Sequence, residues 1–372
     1  MADQKQRILM IAPLPPPVHG SAMMTQYLKE SGMINDQFRL DWVNLSTSRS
    51  MDEIGKRSLK KIFRFGYSYF KAIIKLLSYR YDLCYLAITC HGKGFLKDAP
   101  FVLLCKLFGR KVIIHQHNKG MSRDVNKSFY RWLFKQVYSK SKVILLSWRL
   151  YPDIEQIVGK DQVYICPNGI PKTTVFPKSK KVQMPQILFL SNLIESKGVI
   201  VLLDACRILY EQGYKFMCRF IGGETKEIDS LRFTNEVERR GLTDVVFYGG
   251  KKYGEEKDME FANTDIFVFP TFYDNECFPL VLLEAMQQGA AAITTDVGGI
   301  PDIVEDEKTG LIYTPQDATS LAMKIKELFD SPQKVTELGR NGQKVFEDRY
   351  TLDIWEKNMT KILNDLLSYS CL

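Results

Sequence analysis

The run from Phe267 to Glu284, FVFPTFYDNECFPLVLLE, decides how the rest of this chain is read. An apolar stretch, Asp265 to Phe269, leads in, suits a buried strand and stops at Pro270. A short loop carries Glu276, and a helix holding Leu282, Leu283, Ala285 and Met286 carries Glu284, about two turns in. Both carboxylates are therefore expected near the carboxyl end of a strand. Open α/β sheets bind ligands there, because the loops diverge and helix N-termini offer unpaired N–H groups to anions.

The same strand-then-helix rhythm extends in both directions. In the first half, strand-like runs occur at Arg7–Ala12, Arg39–Asn44, Leu83–Ala87, Lys111–His115, Lys142–Leu146 and Gln162–Cys166, with helical patterns such as Met23–Glu30, Leu59–Ser78 and Lys127–Val137 between them. Strands resume at Gln186–Ser191, Phe216–Gly222, Val245–Tyr248, Asp265–Phe269 and Ala291–Thr294, and the tail from about Gln316 is helical. Alternation of this kind predicts an α/β chain with parallel sheets covered by helices on both faces. A length of 372 residues suits two domains, and the polar, Pro- and Lys-rich stretch Pro171–Pro185 reads as the linker. The expected division is 1–172, a linker at 173–185, a second domain at 186–350 and a closing helix at 351–372.

Composition narrows the class further. No apolar run approaches the roughly 18 residues of a membrane span. Ile8–Leu14 is short, lacks a small-residue cleavage site and reads as a first buried strand, not a signal peptide. The eight cysteines show no C-x-x-C spacing, so reduced, buried thiols in the cytoplasm are expected, without a disulfide scaffold or zinc site.

Charge is distributed unevenly. Residues 1–180 hold 30 Lys and Arg against 12 Asp and Glu, a net of +18; the remainder holds 21 against 31, a net of −10. Such asymmetry points to a polyanionic partner for the first half alone. Its conspicuous segment is the helix from Leu59 to Ser78. Leu59, Ile62, Phe63, Phe70, Ile73 and Leu77 follow helical spacing, and Lys60, Arg64, Lys71 and Lys75 form a second stripe. Basic rows beside Phe, Tyr and Leu suit a helix lying on anionic lipid, at the inner face of the cytoplasmic membrane. No nucleic-acid recognition motif is present, which disfavours that partner.

Several strand ends carry further candidates. Gly20 and Ser21 open a helix after the first strand, where a glycine lets backbone N–H groups approach an anion. His115 and His117 stand two residues apart at a strand end and so share a face; the alternative to a binding role is an ordinary hydrogen-bonded histidine. Lys197 precedes Gly198 at a helix start, a position suited to clamping a diphosphate. Phe220-Ile221-Gly222-Gly223-Glu224 is a strand-end glycine loop.

From Thr264 to Tyr313, TDIFVFPTFYDNECFPLVLLEAMQQGAAAITTDVGGIPDIVEDEKTGLIY closely resembles the signature of retaining nucleotide-sugar glycosyltransferases of family 4, the group 1 glycosyltransferases. The matching positions are Pro270, Glu276, Glu284, Ala285, Met286, Gly289, Gly298, Gly299, Pro301, Thr309 and Gly310. The resemblance is sharp in the second half and loose in the first. It implies the GT-B architecture: two doubly wound, Rossmann-like domains facing across a cleft, the last helix crossing back onto the first. It further implies that His117, with His115 as the alternative, touches the transferred sugar, and that the Gly20 loop faces the donor diphosphate. Glu276 and the main chain of Cys277, Phe278 and Leu280 would hold sugar hydroxyls and diphosphate; Gly222 would lie near the nucleotide, and Glu284 would bind the ribose hydroxyls.

The chain departs from the pattern at three places. His19 stands where a glycine is common. Asn192 replaces the usual arginine of the diphosphate clamp, so that Lys251 or Lys252 would have to restore the charge. Pro279 has no N–H to offer. The resemblance implies transfer of a sugar from a UDP- or GDP-linked donor to an acceptor hydroxyl, with retention. No Asp-x-Asp motif is present, and no metal or other cofactor is expected. With the basic helix, the acceptor is expected to be a lipid-diphosphate-linked glycan of surface polysaccharide assembly. A GT-B-like scaffold subunit that has lost catalysis is the rival reading.

Overall fold

The computed structural model describes residues 5–48, 58–175 and 184–368. The chain divides into two compact units, 1–168 with 352–372, and 169–351.

The first unit is built on β1 (Arg7–Ala12), β2 (Arg39–Asn44), β3 (Leu83–Leu86), β4 (Val112–His115), β5 (Lys142–Leu145) and β6 (Val163–Ile165). They form one parallel sheet in the order β2-β1-β3-β4-β5-β6. Helices on both faces bury the central strands completely, which is why β3 and β4 read as unbroken apolar runs instead of alternating ones. The chain steps from β1 to β2 on one side and then crosses to β3 on the other. The carboxyl ends of β1 and β3 are therefore a topological switch point. The closing helix Leu352–Ser368 packs in this unit, where Lys111 Nζ donates to the Leu366 carbonyl at 3.2 Å and Asn364 donates to Gln37 Oε1 at 3.1 Å.

The second unit repeats the logic with β7 (Gln186–Leu190), β8 (Met217–Ile221), β9 (Val246–Tyr248), β10 (Ile266–Phe269), β11 (Ala291–Thr295) and β12 (Gly310–Tyr313). The order is β12-β11-β10-β7-β8-β9, again all parallel. Here the chain runs outward from β7 to β9 and returns to β10 on the other flank of β7. Its switch point lies between β7 and β10. The core on this sheet is dominated by Phe189, Phe216, Phe220, Leu202 and Ile293, all essentially inaccessible to solvent.

Local differences from the sequence expectation have local causes. The strand β12, GLIY, is not among the strand-like runs of the sequence: it is four residues long, and its strand character comes from pairing with β11. The helix after β10 begins at Leu280, directly after Pro279, so Glu284 stands little more than one turn in, not two. Of the expected linker, residues 176–183 lie outside the described residues. Residues 169–175 pack with the second unit, where the Ile170 N–H donates to the Tyr350 carbonyl at 3.0 Å and the Thr173 N–H to Gln287 Oε1 at 2.8 Å.

Seven cysteines are buried free thiols, and Cys371 lies outside the described residues. Among the described residues no helix is long and apolar enough to cross a membrane.

Candidate functional site

The second unit gathers charge at its switch point. Lys197, in the loop after β7, forms an ion pair with Glu276 in the loop after β10, and both side chains are largely buried. The Lys197 ammonium also lies 4.7 Å from the centre of the Tyr273 ring and 5.3 Å from that of Phe269, so aromatic faces line its remaining sides. Thr271 Oγ1 donates to the same Glu276 oxygen at 3.4 Å. Sequence reading did not single out Thr271 or Tyr273, which owe their places to the turn after Pro270.

Glycines bring the two loops together. Gly198 has φ +86°, and a Cβ there would run into the Pro270 carbonyl; a Cβ on Gly298, at φ +60°, would strike the carbonyl of Glu276 itself. Both positions need left-handed backbone and close approach, which only glycine supplies at little strain. Two helices start beside the ion pair, Val199–Glu211 and Leu280–Gln287, and neither has a side-chain cap. Their first N–H groups have no intrahelical acceptor and point towards the strand ends, as an anion would require.

Glu284 is mostly buried. Its Oε1 accepts from Lys257 Nζ at 2.6 Å, and its Oε2 is buried with no hydrogen-bond partner among the described residues. Burial pushes its pKa above the ordinary carboxyl value, against the pull of Lys257. A buried carboxylate oxygen that no protein donor among the described residues reaches is a ready acceptor for a ligand hydroxyl. Lys257 was not anticipated: it reaches Glu284 from the helix Gly254–Ala262, and nothing in the sequence couples the two.

The other expected donor-binding residues of this unit have structural places of their own. Asn192 Oδ1 accepts the Gly223 N–H at 3.3 Å, which ties the loop after β7 to the one after β8. Gly222 has φ +153° and abuts the Ser191 carbonyl so closely that no Cβ fits. Cys277 and Phe278 are buried; the Cys277 carbonyl accepts from Gly299 at 2.8 Å, and Phe278 packs edge-on to Tyr350. Leu280 is the first residue of its helix.

In the first unit, Gly20 opens the helix Gly20–Glu30, and His19 caps it by accepting the Ala22 N–H on Nδ1 at 3.3 Å. His115 and His117 lie with ring centres 4.1 Å apart at the end of β4. Tyr85 Oη lies 2.7 Å from His115 Nδ1, while the Nε2 atoms of His115 and His117 are both buried without partners among the described residues. Burial, with a smaller push from His19, lowers the pKa of His117 to about 3, and burial with His117 nearby takes His115 well below its usual value. Both imidazoles are neutral near pH 7. They are hydrogen-bonding groups, not charged acids. Among the described residues no three His, Cys, Asp or Glu side chains come together as a metal site would need.

The basic helix Leu59–Ser78 is anchored by Phe65 and Tyr69, which pack edge-on against Phe101, and by the buried Ala72 and Leu76. The opposite apolar face is uncovered: Leu59 is 74% exposed, Phe63 78%, Tyr67 70% and Phe70 60%. Ile73, expected on that face, is half-buried. Lys60 is exposed, and Lys71 is half-buried. The expected basic stripe needs correction at two positions. Lys75 forms an ion pair with Asp41 at 3.1 Å, and Arg64 donates to the Thr47 carbonyl at 2.8 Å. Both are drawn inward because β2 offers the Asp41 carboxylate to Lys75 and the segment after β2 offers the Thr47 carbonyl to Arg64.

Residues 172–345 match the sequence model of the family described as glycosyl transferases group 1. The match spans nearly all of the second unit, 169–351. The chain is 27% identical over 255 residues to WcaL of Escherichia coli K12, named as a colanic acid biosynthesis glycosyltransferase; the alignment covers 66% of this chain and 62% of that protein. Sucrose-phosphate synthase from Thermosynechococcus elongatus superposes with a TM-score of 0.77 over 98% of this chain and all of that one, at 19% identity. HepE of Anabaena, solved in complex with UDP, gives 0.71 over 97% of this chain and all of its own, at 16% identity. The shared fold is GT-B, as the signature around Glu276 implied.

Proposed function

We propose that this protein transfers a sugar, with retention, from a nucleoside diphosphate donor to the hydroxyl of a lipid-linked glycan, in the assembly of a surface polysaccharide. The observation that carries the proposal is the Lys197–Glu276 pair at the switch point of a group 1 glycosyltransferase domain, flanked by two uncapped helix starts. Negative charge grows on the departing diphosphate in the transition state. An ammonium and two helix dipoles facing that charge stabilise it more than they stabilise the bound donor. Glu276 then accepts hydrogen bonds from sugar hydroxyls as the diphosphate draws Lys197 away, and Glu284 Oε2 accepts one from the ribose. The neutral His117 offers a hydrogen bond to a substrate hydroxyl. The diphosphate oxygen takes the acceptor proton, and no divalent metal is required. The UDP complex of HepE and the naming of WcaL support the donor class and the polymer class.

The uncovered apolar face of Leu59–Ser78, bordered by Lys60 and Lys71, supports a peripheral position on an anionic membrane leaflet, the inner face of the cytoplasmic membrane. A scaffold without catalysis is favoured by one observation, that Lys197 is already neutralised by Glu276. The experiment is thermal stabilisation by UDP, GDP and ADP with and without magnesium, followed by sugar transfer in wild type and Glu276→Ala. A magnesium-independent shift with one nucleotide and collapse of transfer in the variant support the enzyme. Nucleotide binding without any transfer by wild type would leave the scaffold, and no binding at all would sink the donor site.

A further inference from the structure

The loops that follow β7, β8 and β9 are stitched into one strand-end surface. The Ser191 N–H donates to the Ile221 carbonyl at 3.0 Å, the Leu193 N–H to the Gly223 carbonyl at 2.8 Å, and the Gly222 N–H to the Gly250 carbonyl at 2.8 Å. Tyr248 Oη closes the set on the Gly222 carbonyl at 2.9 Å. Gly250, at φ +68°, turns the chain back over this surface, so the next residue, Lys251, lies across Gly223. A Cβ on Gly223 would collide with Lys251 Cε and stand 3.2 Å from its Nζ and 2.9 Å from Asn192 Oδ1. The ammonium is thus held beside Asn192, which stands uncharged where the resemblance implies an arginine.

The two lysines after Gly250 differ in what they are free to do. Lys252 is tied to Glu260, which also pairs with Arg219 at 2.8 Å. Lys251 is exposed and takes part in no ion pair or hydrogen bond among the described residues. A cation laid over glycine, with no carboxylate among the described residues to satisfy it, suits a phosphate oxygen.

We propose that Lys251 is a donor-diphosphate ligand, delivered over Gly223 by the loop after β9 to a site where Asn192 contributes no charge. This rests on the nucleoside diphosphate donor proposed above. Lys197 and Lys251 then approach the diphosphate from opposite ends of the loop 192–197. Gly223 is small so that the Lys251 side chain can cross it.

The test is calorimetric titration of UDP, GDP and ADP into wild type, Lys251→Ala, Lys251→Arg, Lys252→Ala, and the double variant Lys251→Ala with Asn192→Arg. For whichever nucleotide wild type binds, Lys251→Ala should weaken affinity by about tenfold or more, the size of a lost charge-assisted contact. Lys251→Arg should retain most of the affinity, Lys252→Ala should stay within about twofold, and Asn192→Arg should recover most of what Lys251→Ala loses. Gly223→Ala, which displaces the lysine without removing it, should weaken binding in the same direction. Unchanged affinity in Lys251→Ala, with wild type binding normally, overturns this inference alone. Absence of binding by wild type overturns the donor reading itself, and this inference with it.

Discussion

At the scale of single residues, several buried polar atoms have no hydrogen-bond partner among the described residues. His117 is the simplest to test. Its folded pKa is about 3 against an ordinary 6.5, so the unfolded chain binds more protons between those values. Stability conferred by the buried neutral imidazole is complete above pH 6.5 and is lost as pH falls towards 3. Between pH 7 and pH 5 that loss is about 2 kcal/mol for one imidazole, at about 1.4 kcal/mol per pH unit below 6.5. Urea unfolding of His117→Gln at the two pH values should show the pH-dependent loss reduced by about that amount; an unchanged difference would mean the imidazole is not buried as described.

Glu284 behaves in the opposite sense. Its folded pKa is raised, so the folded state holds the extra proton, and stability falls as pH rises from the ordinary carboxyl range through the folded value. Removing Lys257 takes away the cation that opposes burial. Lys257→Met should therefore be less stable at pH 8 by about 1–3 kcal/mol, with much of the deficit recovered near pH 5. A deficit independent of pH would argue that packing, not the carboxylate, is responsible.

At the scale of elements, the helix Leu59–Ser78 has two apolar faces and uses only one for folding. Phe65, Tyr69, Ala72 and Leu76 face the unit, while Leu59, Phe63, Tyr67 and Phe70 face outward. Fully burying one such side chain is worth about 1.5–3 kcal/mol, so two aromatic residues suffice for strong partitioning into an interface. Phe63→Ser with Phe70→Ser should reduce sedimentation with anionic vesicles at least about tenfold and leave folding stability within about 0.5 kcal/mol. Lys75→Ala should do the reverse, because its ammonium serves Asp41. If the phenylalanine variants bound vesicles as wild type does, the outward face would not be the docking surface.

At the scale of the whole molecule, charge is polarised along the chain, with +18 in residues 1–180 and −10 in the remainder. Vesicle binding through the first half should fall steeply as salt rises from 0.05 to about 0.5 M, since screening shortens from roughly 14 Å to 4 Å. Binding that survives high salt on neutral lipid would assign attachment to the apolar face alone.

Much of this was readable in one dimension. Strand–helix alternation settled the α/β class, because buried parallel strands must be continuous apolar runs between covering helices. The stretch around Glu276 and Glu284 pointed to the candidate site, because a strand end, a proline stop and a helix start are local events recorded in consecutive residues. What the sequence could not record was pairing between residues far apart along it. Lys197 meets Glu276, Lys257 meets Glu284, Tyr85 meets His115, and Lys251 crosses Gly223 only because strand order brings separate loops to one end of a sheet. The same holds for Lys75, which reads as part of a basic stripe facing anionic lipid until β2 supplies Asp41. Local chemistry determined the elements and the kind of site; strand order decided which charges are neutralised, which remain free and which polar atoms are left waiting for a partner.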